Sequence, residues 1–163
     1  MTPRETLKVT TPSDREIAMT RVLHAPAALV YEAYTKPELL KQWLGVHNNW
    51  SLAVCDIDLR PGGAYRYVWR GPDRAEMGMG GVFREIVPGQ RIVATEKFDD
   101  PWYPGSAVST VTFVERDGRT TLTMTVRYDS KEARDAVLQS PMESGVAAGF
   151  DKLEEVLAAT TGR

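Results

Sequence analysis

The sequence SPMESGVAAGFDKLEEVLAA, residues 140–159, carries the one long amphipathic helical pattern of this chain. Its start matches a capping box, because Ser140 precedes Glu143 by three positions and Pro141 suits the first helical position. Apolar residues then recur at steps of three and four and form one stripe: Met142, Val146, Phe150, Leu153 and Leu157. We therefore expect a helix here that buries one side.

Two glycines, Gly145 and Gly149, lie beside this stripe. Each costs helix stability, up to about 1 kcal/mol relative to alanine, so their presence needs a structural reason. The missing side chains leave room either for a ligand between the helix and a sheet, or for close packing of the two backbones. The residues alone leave both interpretations open.

The length of 163 residues suits a single domain with one core. We expect a flexible N-terminal tail at residues 1–14, which is rich in Thr and Pro, and a domain over residues 15–159. The formal net charge of −2 gives no electrostatic footprint for nucleic acid. Membrane insertion is not expected, because no apolar run approaches the roughly 20 residues that span a bilayer. The single cysteine, Cys55, excludes an internal disulfide framework, so a cytoplasmic protein is expected.

Between the tail and the last helix, the pattern predicts seven strands separated by turn signals. The first strand, residues 15–24, is followed by two short helices, the second with a capping box at Thr35 and Glu38. From residue 51 the hydrophobic period changes to two. The remaining strands are residues 51–59, 64–70, 76–87, 91–98, 106–115 and 120–128, and a short helix at residues 131–138 leads into the last one.

The consecutive strands predict an antiparallel sheet with two unlike faces. Threonines mark the polar face of the last hairpin, and the opposite face is apolar. That face must be covered, and the apolar stripe of the last helix is the element left to cover it. A twisted sheet around one helix leaves a cavity near the helix.

Four sequence blocks resemble a known family. They are residues 25–43 (APAALVYEAYTKPELLKQW), 58–63 (DLRPGG), 81–93 (GVFREIVPGQRIV) and 149–157 (GFDKLEEVL). Together they are similar to the activator of heat-shock-protein-90 ATPase homologue-like (AHSA-type) family of the SRPBCC superfamily. The resemblance implies an α+β, START-like helix-grip fold with the sheet wrapped around the C-terminal helix. Two positions depart from the family pattern, Trp43-Leu44 and Gly149-Phe150. The superfamily includes lipid carriers, cyclases, toxin-binding proteins and co-chaperone domains, so fold alone does not imply function.

Side chains of the predicted inner face are unusual for a sealed core, because tyrosine, tryptophan and methionine adapt to ligands and offer polar tips. Glu96 is the most informative of them. An inward carboxylate must be paired, solvated in a cavity or kept neutral. It is either a polar anchor or general base in a pocket, or the partner of a neighbour such as Arg66 or a tyrosine hydroxyl. The predicted ligand-binding residues are Trp43, Tyr65, Tyr67, Trp69, Met77, Met79, Glu96, Phe98, Ser109, Phe113, Met124, Met142, Val146 and Phe150.

Aromatic residues also concentrate in two loops. Trp43, His47 and Trp50 flank the loop after the second helix, and Trp102 and Tyr103 occupy another. They form either the mouth of a pocket or lids that close the ends of the core. No pattern predicts a metal site or another cofactor, since His24 and His47 lack neighbours at ligand spacing.

Three functions remain open from the sequence. The first is binding of a hydrophobic or aromatic small molecule between sheet and helix, in keeping with a stress-response role. The second is a cyclase- or hydrolase-type enzyme with Glu96 and Tyr65 or Tyr67 as acid–base groups. The third, suggested by the resemblance, is a co-chaperone module with a chaperone partner. A homodimer also remains open, in which an edge strand, residues 15–24 or 51–59, pairs with a second copy of the chain.

Overall fold

The computed structural model describes residues 6–161, and they form one antiparallel sheet with helices on one face. The sheet order is β1-β2-β8-β7-β6-β5-β4-β3. The strands are β1 (Lys8–Thr10), β2 (Glu16–Leu23), β3 (Ser51–Ile57), β4 (Ala64–Arg70), β5 (Glu76–Val87), β6 (Arg91–Phe98), β7 (Ala107–Arg116) and β8 (Arg119–Tyr128).

Four α-helices accompany the sheet in the described part of the chain. Two short ones follow β2, and the longest closes the chain after a further short helix. They are α1 (Ala27–Thr35), α2 (Pro37–Leu40), α3 (Lys131–Leu138) and α4 (Met142–Thr161). A single 3₁₀ turn, Pro72–Arg74, joins β4 to β5. None of the helices in residues 6–161 is long and apolar enough to cross a membrane.

The predicted α+β class and helix-grip arrangement are confirmed. Alternation along β4 places Tyr65, Tyr67 and Trp69 on the buried face. From α4, the side chains of Phe150, Leu153 and Leu157 join the same core cluster. The helix therefore packs on the apolar face of the sheet, as its stripe predicts.

The sheet has eight strands, and not the predicted seven. The additional strand, β1, lies within residues 1–14, which were expected to be a tail; residues 1–5 lie outside the described part. Val9 in β1 pairs with Met19 in β2, and the side chains of Leu7 and Val9 pack half-buried against the core. A three-residue strand is too short to show an alternating pattern, so the sequence did not predict β1.

The two edges of the sheet are β1 and β3. Residues 15–24 were considered as an edge for pairing with a second copy. That expectation is wrong for the central part of β2, because β1 pairs with Ala18–Thr20. The edge strand predicted at residues 51–59 is present as β3 and is hydrogen-bonded only to β4 in the described sheet.

Both predicted capping boxes are wrong in detail. The hydroxyl of Ser140 donates to the carbonyl of Val137 at 2.6 Å, so it serves the end of α3. The hydroxyl of Thr35 donates to the carbonyl of Tyr31 at 2.8 Å, and Lys36 is the N-cap of α2. In both cases a carbonyl in the last turns of the first helix of the pair accepts the hydroxyl, because one helix ends only a few residues before the next begins.

Candidate functional site

Two adjoining cavities lie between the sheet and the helices. The inner cavity has a volume of about 120 Å³ and lies over β4, β5 and β6. The outer cavity has a volume of about 530 Å³ and lies between α4 and the loops that follow α2 and β6. Four residues line both cavities: Tyr34, Leu44, Trp69 and Met124. The two spaces therefore share one boundary.

The wall of the inner cavity is mainly aromatic, because β4 places every second residue on the inner face. The ring of Tyr65 lies 5.1 Å from that of Tyr67 and 5.3 Å from that of Phe83, between centroids. The rings of Tyr67 and Trp69 are 5.8 Å apart. Three successive inner positions of one strand thus present a continuous aromatic surface to the cavity.

Glu96 lies on β6 and lines the inner cavity. Burial raises the pKa of its carboxyl from 4.5 to about 7, because desolvation disfavours the charged form. Neither partner considered from the sequence is bound to it. Arg66 binds Asp99 through two hydrogen bonds of 2.7 and 2.6 Å, and the hydroxyl of Tyr65 donates to the carbonyl of Thr95 at 2.6 Å. Within residues 6–161, Glu96 has no hydrogen bond or ion pair.

The outer cavity is bounded by the first half of α4. Met142, Val146 and Phe150 point into it from the apolar stripe. Trp43 stacks on Phe150 with ring centroids 5.9 Å apart, and its indole N–H donates to the carbonyl of Ala33 at 2.9 Å. Trp43, in the loop after α2, therefore connects α4 and α1 at this wall of the outer cavity.

The two helix glycines both line the outer cavity, but a side chain at each would meet different surroundings. A Cβ at Gly145 would have no atom within 4 Å, and this residue lines the outer cavity. A Cβ at Gly149 would lie 3.4 Å from the carbonyl oxygen of Trp43. Gly145 leaves space open, whereas Gly149 lets the helix approach the backbone of the loop.

Aromatic loop residues form part of the outer cavity. Trp50 and Trp102 line it, and Trp102 is 43% exposed. Trp102 packs on Phe98 with a centroid distance of 4.7 Å. Tyr103 lines neither cavity; it is buried against Tyr128 at 5.2 Å, and its hydroxyl has no hydrogen-bond partner in the described structure. The loop after β6 thus supplies one residue to the cavity rim and one to the core.

The predicted site residues are brought together with one exception. The inner cavity is lined by Tyr65, Tyr67, Trp69, Met79, Glu96, Ser109 and Met124. The outer one is lined by Trp43, Trp69, Met77, Phe98, Met124, Met142, Val146 and Phe150. Phe113 lines neither, although it faces inward as predicted. The rings of Tyr31 and Tyr34 in α1 pack on it at 5.5 and 5.8 Å and separate it from the open space.

Several lining residues were not among the predicted site residues. Tyr34 in α1 is one of them: it lines both cavities, and its hydroxyl lies 3.7 Å from the sulfur of Met124. Leu44 and Gly45 come from the loop after α2. Residues in a loop carry no periodic signal, so the sequence does not indicate that Leu44 and Gly45 line a cavity. They are identified only once the contact between this loop and β4 is known. In residues 6–161, no group of three His, Cys, Asp or Glu side chains is arranged to hold a metal ion.

A family model described as Activator of Hsp90 ATPase homolog 1-like protein matches residues 24–158. No curated protein matches the chain. A crystal structure from Rhodobacter sphaeroides is 29% identical, with a TM-score of 0.89 over 94% of this chain and 99% of that one. Protein NE0264 from Nitrosomonas europaea is 26% identical, with a TM-score of 0.81 over 94% and 100%. Protein Ms6760 from Mycobacterium smegmatis is 24% identical with a TM-score of 0.83 over 94% and 98%, which indicates a shared fold.

Proposed function

The chain belongs to the family of activator of Hsp90 ATPase homolog 1-like proteins, and we propose that it binds a hydrophobic or aromatic small molecule between the sheet and α4. The observation that carries the proposal is the pair of adjoining cavities, about 120 and 530 Å³ in volume. A well-packed core would leave few voids larger than a water molecule. A space of this size lined by aromatic residues and methionine is typical of a small-molecule site.

The lining supports an apolar ligand of adaptable shape. Met77, Met124 and Met142 border the outer cavity, and their flexible side chains fit differently shaped surfaces. Trp50 and Trp102 add large flat faces near the rim. Because Met77 and Trp102 are 39% and 43% exposed, a ligand can reach the cavity from this side with little rearrangement.

A substitution that fills the outer cavity tests the proposal. In Gly145→Leu, the Cβ of the new side chain meets no atom within 4 Å and the residue lines the outer cavity, so the fold should persist while the ligand volume is lost. The matched control is Ser144→Leu, which adds the same side chain at the neighbouring exposed position of α4. Binding of the fluorescent probe 1-anilinonaphthalene-8-sulfonate, followed by fluorescence, should weaken at least tenfold in Gly145→Leu and stay within twofold in the control.

Native mass spectrometry of the purified protein supplies an independent readout. We expect a retained ligand mass on the wild type and the Ser144→Leu control, and none on Gly145→Leu. Equal probe affinity in all three proteins, together with no retained mass, contradicts a ligand site between sheet and helix.

A second candidate function is acid–base catalysis in the inner cavity, and the unpaired carboxyl of Glu96 favours it. A carboxyl whose pKa lies near 7 can exchange a proton with a bound molecule at neutral pH. Tyr65 is a weaker candidate as a proton donor, since its O–H already donates to the carbonyl of Thr95. Glu96→Gln should abolish turnover of a cyclase or hydrolase substrate without unfolding the protein, and unchanged turnover rules out this role.

A contact with a chaperone is the remaining candidate, and the description of the matched family suggests it. The exposed apolar side chains of Met77 and Trp102 both border the outer cavity and offer a small contact surface. Replacing both by serine should abolish co-purification with Hsp90 if this candidate is correct. Unchanged co-purification of that double variant, with a circular dichroism spectrum like that of the wild type, rules this candidate out.

A further inference from the structure

Among the described residues, Glu96 is the only carboxylate that lines the two cavities. Within residues 6–161, no lysine, arginine or histidine lines either cavity. The outer cavity is lined by apolar, aromatic and small residues, with Ser140 as its one aliphatic hydroxyl. Any charge recognition in this site therefore depends on Glu96.

The oxygens of Glu96 are available to a ligand. The two partners considered from the sequence are occupied elsewhere, since Arg66 forms its two hydrogen bonds with Asp99 and Tyr65 donates to the carbonyl of Thr95. A buried carboxyl without a hydrogen bond costs folding free energy. A ligand that binds it recovers part of this cost, which makes Glu96 a favourable anchoring point.

The surroundings of Glu96 indicate the sign of the ligand charge. The inner cavity presents the rings of Tyr65, Tyr67 and Trp69, and the face of an aromatic ring carries negative potential. Inside the inner cavity, a cationic group gains from both the carboxylate and the rings, whereas an anionic group is repelled by both. A neutral carbonyl group could bind only to the protonated carboxyl.

We propose that the ligand is a cationic amphiphile, a compact protonated amine attached to an apolar or aromatic body. The ammonium group enters the inner cavity and forms an ion pair with Glu96. The apolar body lies in the outer cavity along Val146 and Phe150 of α4. This inference rests on the proposed function, because it assigns a chemical class to the ligand of that same site.

Of Glu96 and the tyrosines around it, only Glu96 changes charge near neutral pH. The hydroxyls that interact with it come from Tyr34 in α1, Tyr65 and Tyr67 in β4, Tyr103 in the loop after β6 and Tyr128 in β8. Desolvation is the largest cause that raises the pKa of each of these five tyrosines, and the charge of Glu96 adds to it. They stay neutral between pH 6 and pH 8. Binding of an ammonium group should therefore release a proton from Glu96 below pH 7.

Three probes with one apolar body and different head groups test the inference: 4-phenylbutylamine, 4-phenylbutan-1-ol and 4-phenylbutanoate. Their affinities are measured by isothermal titration calorimetry at pH 8, for the wild type and Glu96→Gln. We expect the amine to bind the wild type at least tenfold more tightly than the alcohol, and the carboxylate to bind most weakly. In Glu96→Gln, the preference for the amine over the alcohol should disappear.

The pH dependence adds a readout that a structural role of Glu96 would not change. Since the amine stays protonated, with a pKa of about 10.4 like that of lysine, its affinity for the wild type should rise about tenfold from pH 6 to pH 8 as Glu96 ionises. The alcohol should show no such rise. If Glu96→Gln does not fold, this comparison in the wild type decides the question.

The outcomes separate this inference from the proposed function. Equal affinities of amine and alcohol, or a preference for the carboxylate, overturn the cationic ligand and leave the apolar site standing. A fall in the affinity of the amine as pH rises also overturns it. If none of the three probes binds at millimolar concentration and 1-anilinonaphthalene-8-sulfonate also fails to bind, both the inference and the proposed function are wrong.

Discussion

The indole N–H of Trp69 donates a hydrogen bond of 3.0 Å to the carbonyl oxygen of Leu44. The bond attaches the loop after α2 to β4, and both residues line both cavities. Gly45 follows Leu44 with φ of +71°, and a Cβ at this position would overlap the indole of Trp69. The part of the boundary formed by Leu44 and Trp69 therefore depends on this hydrogen bond and on Gly45.

Gly45→Ala should destabilise the protein more than Gly89→Ala. Both glycines have positive φ, +71° and +73°, so each substitution costs about 1–2 kcal/mol of backbone strain. Only the substitution at Gly45 also displaces a side chain, which adds about 1–3 kcal/mol. Urea denaturation measures both losses. Equal losses would mean that the indole of Trp69 moves aside without cost.

Gly145→Ala should stabilise the protein by up to about 1 kcal/mol, because alanine is the better helix former and its methyl group meets no atom. That gain corresponds to a rise of about 2–4 °C in melting temperature. Gly149→Ala should gain less, since its methyl group would touch the carbonyl oxygen of Trp43 at 3.4 Å. Calorimetry compares the two, and a lower melting temperature for Gly145→Ala would contradict an open space there.

Trp43→Phe should cost about 2 kcal/mol of the free energy of unfolding. The substitution removes a buried hydrogen bond to the carbonyl of Ala33 and part of the stacking on Phe150. The matched control is Trp102→Phe at a 43% exposed side chain, which should change stability by less than about 0.5 kcal/mol. Chemical denaturation monitored by circular dichroism measures both. Similar losses for the two variants would contradict the structural role of Trp43.

Glu96→Gln should stabilise the protein increasingly as the pH rises from 5 to 8. The pKa of Glu96 rises from 4.5 to about 7 on folding, so between these values the folded state holds the proton more tightly than the unfolded state. Stability contributed by Glu96 is thus present below about pH 4.5 and is lost as the pH rises to about 7. Ionisation above pH 7 costs about 3 kcal/mol, which glutamine avoids.

The measurement is the difference in unfolding free energy between Glu96→Gln and the wild type across this pH range. A matched control is Glu85→Gln, at an exposed glutamate on β5 that pairs with Arg91. Its difference from the wild type should stay small at every pH. A flat profile for Glu96→Gln would mean that the carboxyl is well solvated in the cavity.

Much of the sheet could be predicted from alternation along the strands. The inward positions of Tyr65, Tyr67 and Trp69 follow from the period of two, and so does that of Glu96. Phe113 shows the limit of this reasoning. Its inward direction is correct, but whether an inward side chain borders a cavity depends on which helix lies above it.

Loops and ends of elements were less predictable. Ser140 and Thr35 match a capping pattern, yet both hydroxyls donate to a carbonyl of the preceding helix. The strand β1 carries too few residues for a periodic signal. Tyr34 and Leu44 reach the cavities because of how α1 and its following loop pack on the sheet, and no local pattern encodes that position.

The sequence by itself determined the class of fold, the face that each strand buries and the apolar side of α4, because hydrophobic periodicity encodes these directions residue by residue. Only the tertiary structure decided where space remains. Both helix glycines line the outer cavity, but a Cβ would meet no atom within 4 Å at Gly145 and would contact the carbonyl oxygen of Trp43 at Gly149. The tertiary structure also left Glu96 unpaired by directing Arg66 to Asp99. Cavities and ion pairs depend on distances between elements far apart in the chain, and these distances arise only when the elements pack together.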